Sequence, residues 1–224
     1  MPAASPGRRQ GRLMRPVLRR PSVVPYIAAW SSEWNVSPPV VHRGFGIGYA
    51  DEVPQDRDEH GVVWARNSIR PKSGRPDFGR VHALRQRRAM RRLLCQVCGE
   101  PADRDTRGTL WIVEDARGDW PDWPERMVTA HPPVCLPCAH LAVEECPHLQ
   151  EEGWVALRVQ APRIDGVHGM RYQRGMPLPQ PGKAETLPYE DNAVRWVQAS
   201  HQTQMVRGCT VVDLARETAT ARRP

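Results

Sequence analysis

Two Cys-x-x-Cys pairs constrain this chain more than any other feature. Cys95 and Cys98 form the first pair, and Cys135 and Cys138 form the second. Four thiolates are the donor set that Zn²⁺ takes in closed, tetrahedral structural sites. The two-residue spacing lets both sulfurs of a pair point at one ion, and Gly99 permits the positive φ that such a turn needs. We therefore expect one structural zinc ion held by these four cysteines.

Other cysteines and histidines near the pairs are not expected to bind this ion. Cys146 lies on the same predicted helix as Cys138 but about 12 Å further along its axis, given a rise of about 1.5 Å per residue. We predict that it is a buried core thiol, as is Cys209. Surface or hydrogen-bonding roles are predicted for the nearby histidines, which are His131, His140 and His148.

The segments around the pairs complete a larger pattern. Residues 109–115 (TLWIVED) and 126–134 (RMVTAHPPV) are predicted strands of a hairpin, and 136–146 (LPCAHLAVEEC) is a predicted helix that Pro147 ends. The first cysteine pair lies in a short turn, or knuckle, which is followed by the hairpin and by the helix that carries the second pair. This order resembles the treble-clef zinc finger over about residues 93–149. That resemblance implies zinc binding but no particular function.

Two enzyme classes share parts of this pattern and remain minor alternatives. The knuckle CQVCGEPA (95–102) resembles that of HNH endonucleases, which carry a general-base histidine where this chain has Glu114 and Asp115. The segment VCLPCAHL (134–141) resembles the thioredoxin active site, but thiol redox chemistry would leave the first pair without a role. We therefore expect a binding protein rather than an enzyme.

The formal charge of +7 is unevenly distributed. Residues 1–95 carry 18 basic and 7 acidic groups, whereas residues 96–152 carry 4 basic and 12 acidic groups.

A helix predicted over residues 81–94 has one apolar side, and its other side is covered by arginines. These arginines are Arg85, Arg87, Arg88, Arg91 and Arg92.

The arginine-covered side makes contact with DNA or RNA the leading function. The alternative for these arginines is solvation, or pairing with acidic groups of the same protein. A second function is protein–protein interaction through the loop 118–125 (GDWPDWPE), where prolines stiffen the segment around Trp120 and Trp123. The alternative for these tryptophans is that they cover the zinc site as local core.

The flanking segments predict an α+β fold in which the zinc module is integrated with short strands and helices. We expect a helix over 25–34, a hairpin of strands 40–52 and 61–68, and a linker over 69–80. In the first strand of the hairpin, Gly44, Gly46 and Gly48 are expected to allow close backbone packing. After the cysteine segment we expect a strand over 154–160, a loop over 162–188, a helix over 191–207 that Asp191 caps, and a strand from Cys209. The predicted segments are a disordered basic tail (1–22, with Met14 as an alternative start), 23–75, 76–150, 151–217 and a frayed end (218–224).

Several features favour a cytoplasmic protein with no membrane contact. No apolar run approaches the roughly 20 residues that span a bilayer, and no apolar segment follows the N-terminal arginines as in a secretory signal. Six cysteines in a reducing compartment favour metal binding over disulfides. Segments such as VVPYIAAW and RQRRAMRRLLCQVCGEPADR resemble uncharacterised proteins of high-G+C bacteria; this resemblance implies one integrated unit and no known activity.

Overall fold

The computed structural model describes residues 21–217. The predicted frayed end and the predicted basic tail, except for Pro21 and Ser22, lie outside the described residues. Within the described range, helices and strands are mixed, which confirms the α+β class. No helix in this range is both long enough and apolar enough to cross a membrane.

Strands make up most of the regular structure between residues 21 and 217. They are β1 (Ala28–Trp30), β2 (Val40–Arg43), β3 (Gly46–Tyr49), β4 (Val63–Trp64), β5 (Pro76–Val81), β6 (Arg104–Asp105), β7 (Gly108–Glu114), β8 (Val128–Thr129), β9 (Trp154–Val159), β10 (Arg163–Gln173), β11 (Gln180–Pro188), β12 (Val197–Met205) and β13 (Cys209–Val212). The α-helices are α1 (Ala83–Arg92), α2 (Leu136–Glu145), α3 (Pro147–Glu152) and α4 (Leu214–Glu217), and 3-10 helices span Pro54–Asp56 and Asn192–Trp196.

One sheet, with strand order β13-β9-β7-β6, separates two apolar clusters. Side chains alternate across a strand, so Leu110 and Ile112 of β7 pack with Cys95 on one face, while Trp111 and Val113 pack on the other. The four-cysteine region therefore rests on one face of a buried sheet.

A second sheet has the order β11-β10-β12-β4, and β8 also pairs with β12. Helix α1 lies against β12 and is fixed there by buried amides. The Nε2 of Gln86 donates to the carbonyls of Ala130 (2.7 Å) and Gln202 (2.9 Å), and Nε2 of Gln204 donates to the carbonyl of Met90 (2.9 Å). These bonds hold the helix that leads into the first cysteine pair.

The predicted helix over 25–34 is wrong, because this segment forms β1 and a turn. The amides of Tyr26 and Ile27 donate to the carbonyls of Val97 (2.8 Å) and Gln96 (3.3 Å), and β1 then pairs with β5. The predicted linker over 69–80 is therefore partly a strand. These long-range backbone bonds outweigh the helical spacing of the apolar residues.

The predicted hairpin of 40–52 with 61–68 is also wrong. Strand β2 pairs with β3 through a tight turn at Gly44, whose φ is +57°, and β4 instead runs parallel to β12. The close packing expected of the glycines is confirmed at Gly46, where an added Cβ would overlap the carbonyl oxygen of Arg195.

The predicted hairpin of 109–115 with 126–134 is wrong. Strand β7 begins one residue before the predicted 109–115 and ends one residue earlier, and it pairs with β6 and β9. In the segment predicted as a strand over 126–134, only β8 is extended, and it pairs with β12. The hairpin after the first cysteine pair is therefore β6–β7.

The C-terminal part holds more strand than the sequence pattern indicates. The predicted loop over 162–188 contains β10 and β11, and the predicted helix over 191–207 is a 3-10 turn followed by β12. The cap at Asp191 is confirmed, since its Oδ1 accepts from the amide of Ala193 (2.8 Å). The predicted strands at 154–160 and from Cys209 are confirmed as β9 and β13.

Candidate metal centre and arginine helix

The first cysteine pair lies in a tight turn directly after α1. The amide of Cys95 donates to the carbonyl of Glu100 (2.7 Å), and the amide of Gly99 donates to the carbonyl of Cys95 (2.8 Å). Gly99 has φ +79°, as predicted, and an added Cβ would lie 2.9 Å from the ring of Tyr26. A side chain at this position would therefore open the turn that places the first two sulfurs.

The second cysteine pair lies at the start of α2. Cys135 is the N-cap residue, and its carbonyl accepts from the amide of Ala139 (2.9 Å). The amide of Gln96 donates to the carbonyl of Pro133 (2.9 Å), so the two cysteine-bearing turns lie side by side. Helix α2 ends at Glu145, before Pro147, as predicted.

The four sulfurs converge on one point. The Sγ atoms of Cys95, Cys98, Cys135 and Cys138 all lie within 4.8 Å of one another, and no other ligand-type side chain of residues 21–217 joins them. Cys95 is buried and Cys98 is exposed, so the cluster lies at the edge of the core. This group could hold a metal ion.

Burial and the mutual repulsion of the sulfurs oppose ionisation of two of these thiols. Burial raises the pKa of Cys135 to about 11, and burial together with the neighbouring sulfurs raises the pKa of Cys138. Burial also opposes ionisation of Cys95, but the amides of Cys98, Cys135 and Val97 point at its sulfur and lower its pKa. A cation among the sulfurs would allow all four to ionise together, because it compensates their mutual repulsion.

The remaining cysteines and nearby histidines stand apart from this cluster. Cys209 is half-buried and packs on the opposite face of the sheet, and burial next to Glu125 raises its pKa to about 12. Cys146, predicted to be buried, is only half-buried at the junction of α2 and α3. Three histidines also lie outside the cluster, namely His131, His140 and His148.

The arginine helix is confirmed, but its innermost arginines are bound within the protein. Arg85 makes a two-pronged ion pair with the buried Glu33, with Nη1–Oε1 and Nη2–Oε2 distances of 2.7 Å. The guanidinium of Arg87 lies 4.4 Å from the ring centroid of Trp64 and 3.7 Å from Glu59. The acids that pair with Arg85, Arg87 and Arg91 are therefore Glu33 and Glu59, not residues of the acidic segment 96–152.

The outer arginines of α1 face solvent. Arg88 lies 3.5 Å from the hydroxyl of Tyr26, and Arg91 pairs with Glu59 at 2.7 Å on the surface. Neither Arg88 nor Arg92 forms an ion pair with any described residue. We call these three residues, Arg88, Arg91 and Arg92, the α1 cation surface.

The excess positive charge lies outside the described fold. Residues 21–217 hold 24 basic and 25 acidic residues, whereas residues 1–20 hold six arginines and residues 218–224 hold two. Any attraction of the fold itself for a polyanion must therefore come from local groups of arginines, not from its overall charge.

The two tryptophans of loop 118–125 do not lie over the metal centre. Trp123 packs with the cluster that contains Trp111, on the face of the sheet opposite the four cysteines. Trp120 is half-buried and its Nε1 donates to the carbonyl of Glu125 (3.2 Å). Beside both rings lies a cavity of about 420 Å³ whose wall includes the half-exposed Val211.

Acid should weaken the fold partly through Glu33. Burial opposes ionisation of Glu33, but hydrogen bonds from Arg85 and from the amides of Trp30 and Arg70 lower its pKa from 4.5 to about 2. A carboxyl whose pKa falls on folding stabilises the protein above its ordinary pKa, and this stability is lost as the pH falls from about 4.5 to about 2. We expect Glu33→Gln to cost roughly 2–3 kcal/mol at neutral pH and to flatten the loss of stability in acid, measured by urea unfolding across this range.

A double-mutant cycle checks the source of this effect. In an Arg85→Gln background, Glu33→Gln should cost much less, because the pair is already broken. Equal costs in both backgrounds, or an unchanged acid profile, would contradict the assignment.

Comparison with protein-family models, with curated proteins and with solved structures finds no match.

Proposed function

We propose that this protein is a binding module stabilised by one structural zinc ion on Cys95, Cys98, Cys135 and Cys138. The convergence of the four sulfurs supports this proposal. Zn–S bonds of about 2.3 Å place the sulfurs of a tetrahedron about 3.8 Å apart, and the Sγ atoms of Cys98 and Cys135 are 3.7 Å apart. An all-thiolate donor set leaves no open position for a reacting water, so we assign the ion a structural role.

A treble-clef arrangement is part of this proposal. The order of a cysteine turn, the β6–β7 hairpin and α2, with the second cysteine pair at the helix start, supports it. In this arrangement the ion would join the end of α1 to the start of α2. The ion would thereby fix the position of the α1 cation surface relative to the sheet.

The partner that the surface favours is a nucleic-acid backbone. Arg88 and Arg92 are one turn apart on the same side of α1, where like charges repel each other by a few tenths of a kcal/mol. A line of phosphates would relieve this repulsion, and it could also displace the weak surface pair between Arg91 and Glu59. The hydroxyl of Tyr26 beside Arg88 could donate a further hydrogen bond to a phosphate oxygen.

Binding to short fluorescein-labelled DNA and RNA, measured by fluorescence anisotropy at several salt concentrations, tests this surface. The double variant R88Q/R92Q should weaken binding about tenfold or more and reduce the slope of log K against log salt by about 2. The matched control is R163Q/R216Q, which removes the same charge from exposed side chains on β10 and α4. The control should bind nearly as the unmodified protein does.

Two outcomes would contradict the α1 cation surface. One is an equal effect of both double variants, which would indicate only general charge attraction. The other is binding that disappears when the six arginines of residues 1–20 are changed to glutamine, with no dependence on Arg88 and Arg92. If no salt-dependent binding is found, protein–protein interaction through Trp120 and Trp123 becomes the better account, since the cavity beside them leaves Val211 half-exposed.

A further inference from the structure

A second group of metal-binding side chains lies away from the four cysteines. A cavity of about 260 Å³ is lined by His131, His168 and His201. The pairing of β10 with β12 places His168 directly opposite His201, with ring centroids 5.6 Å apart and ring planes at 69°. Apolar side chains and the hydroxyls of Thr186 and Thr203 form the rest of the wall. We call this cavity the histidine pocket.

The ring of His201 is held with one nitrogen free for a ligand. The hydroxyl of Ser200 lies 2.8 Å from Nδ1 of His201 and 3.3 Å from the carbonyl oxygen of His168. In the tautomer in which this hydroxyl donates to the carbonyl and accepts from Nδ1–H, Nε2 of His201 presents a lone pair. Metal-binding histidines are oriented in this way, by a hydrogen bond to the nitrogen that does not bind the ion.

His168 is held in a similar manner from the neighbouring strand. Its Nδ1 lies 3.0 Å from Oγ1 of Thr186 on β11, and its Nε2 has no hydrogen-bond partner among the described residues. Two imidazoles on adjacent strands thus each have Nδ1 occupied by a hydroxyl. Nε2 of each ring is the nitrogen left for an ion.

An unpaired hydroxyl in the same cavity points to a ligand. Thr203 lines the pocket and is only 2% exposed, yet its Oγ1 has no hydrogen-bond partner within residues 21–217. A buried hydroxyl without a partner is destabilising, because it has given up its hydrogen bonds to water. A water molecule held by an ion in the pocket would supply the missing partner.

We propose that His131, His168 and His201 bind a divalent transition-metal ion through imidazole nitrogens, with a fourth position open to the cavity. Imidazole donors favour Zn²⁺, Ni²⁺ or Cu²⁺ over Mg²⁺ and Ca²⁺, which require oxygen ligands. The three nitrogens do not yet converge as the four sulfurs do. The ring of His131 makes no hydrogen bond to any described residue, so no such bond would have to break for the ring to turn inward and complete the set.

The open position distinguishes this site from the four-cysteine centre. Three nitrogen ligands and an exchangeable water form the arrangement of catalytic sites, whereas four thiolates form that of structural sites. A metal-bound water next to Thr203 would be activated towards attack on a carbonyl or phosphoryl group. The proposal does not depend on the four-cysteine zinc or on nucleic-acid binding.

Metal titration of the full chain, purified without a polyhistidine tag and dialysed to constant zinc content, tests the histidine pocket. Isothermal titration with Ni²⁺ should show one added equivalent while the zinc already bound is retained. X-ray absorption of the nickel should show imidazole nitrogens and no sulfur. H201Q should abolish this equivalent, and Thr186→Val should weaken it about 10- to 100-fold by releasing His168.

Variants at His131 and His60 keep this test decisive if H201Q fails to fold. H131Q removes a ring that makes no internal hydrogen bond, so it should leave the melting temperature unchanged and still weaken nickel binding strongly. H60Q, at an exposed histidine that stacks on Tyr189 outside the pocket, should bind nickel as the unmodified chain does. Absence of the added equivalent, sulfur ligation of the nickel, or equal binding by H131Q and H60Q would overturn the proposal.

Discussion

Cys138→Ser is expected to remove the bound zinc and to lower the melting temperature by about 10 °C or more. The reason is that the ion would be the direct link between the turn after α1 and the start of α2, so its binding free energy is also folding free energy. Serine is nearly the same size as cysteine but is a poor ligand for zinc. Metal analysis and calorimetry of the purified variant measure both effects.

Two other cysteines provide matched controls. Cys146→Ser and Cys209→Ser make the same chemical change at positions outside the sulfur cluster. Both variants should keep their zinc, and Cys209→Ser should lose only a modest amount of stability from its packing against the cluster that contains Trp111. A melting temperature of Cys138→Ser within the range of these controls would contradict a folding role for the metal.

Glu217→Gln is expected to cost up to about 3 kcal/mol, because it removes the most buried of the carboxylates that neutralise the buried Arg158. Arg158 on β9 is 2% exposed, and its Nε donates to Oε2 of Glu217 at 2.9 Å. Arg107 binds the other carboxylate oxygen at 2.9 Å, and Asp103 lies 2.6 Å from Nη1 of Arg158. Urea unfolding measures the loss, which should appear as a lower midpoint.

The control is a neighbouring carboxylate at the surface. Asp213 pairs with Arg216 at 3.4 Å, with both side chains mostly exposed, and Asp213→Asn should cost less than about 1 kcal/mol. Replacing both buried partners, as in Arg158→Met with Glu217→Leu, should recover much of the stability, since neither charge then needs a partner. Equal costs for Glu217→Gln and Asp213→Asn would show that the buried network is not needed.

Features that depend on neighbouring residues could be predicted from the sequence. The paired cysteines and the positive φ of Gly99 belong to one short turn, and the spacing alone indicates them. The apolar side of α1 was predicted for the same reason, and Ala89 and Met90 are indeed buried. Burial of these residues follows the helical period, which the sequence displays directly.

Features that depend on distant partners could not be predicted in this way. Glu33 and Arg85 lie 52 residues apart, and nothing in the local pattern of either predicts their ion pair. The sequence predicts a helix over 191–207 from the cap at Asp191 and from Gly208 at its end. Strand β12 forms there instead, and its buried Gln202 and Gln204, whose amides bind distant carbonyls, hide the apolar alternation typical of a strand. The histidine pocket depends on that same strand pairing, so His168 and His201 gave no signal in the sequence.

X-ray absorption of the zinc retained after dialysis tests whether the four cysteines hold the ion. We expect about one zinc atom per chain, bound by four sulfurs at about 2.3 Å with no nitrogen or oxygen ligand. Zinc-free protein with an unchanged melting temperature, or retained zinc with mainly nitrogen or oxygen ligands, would contradict it.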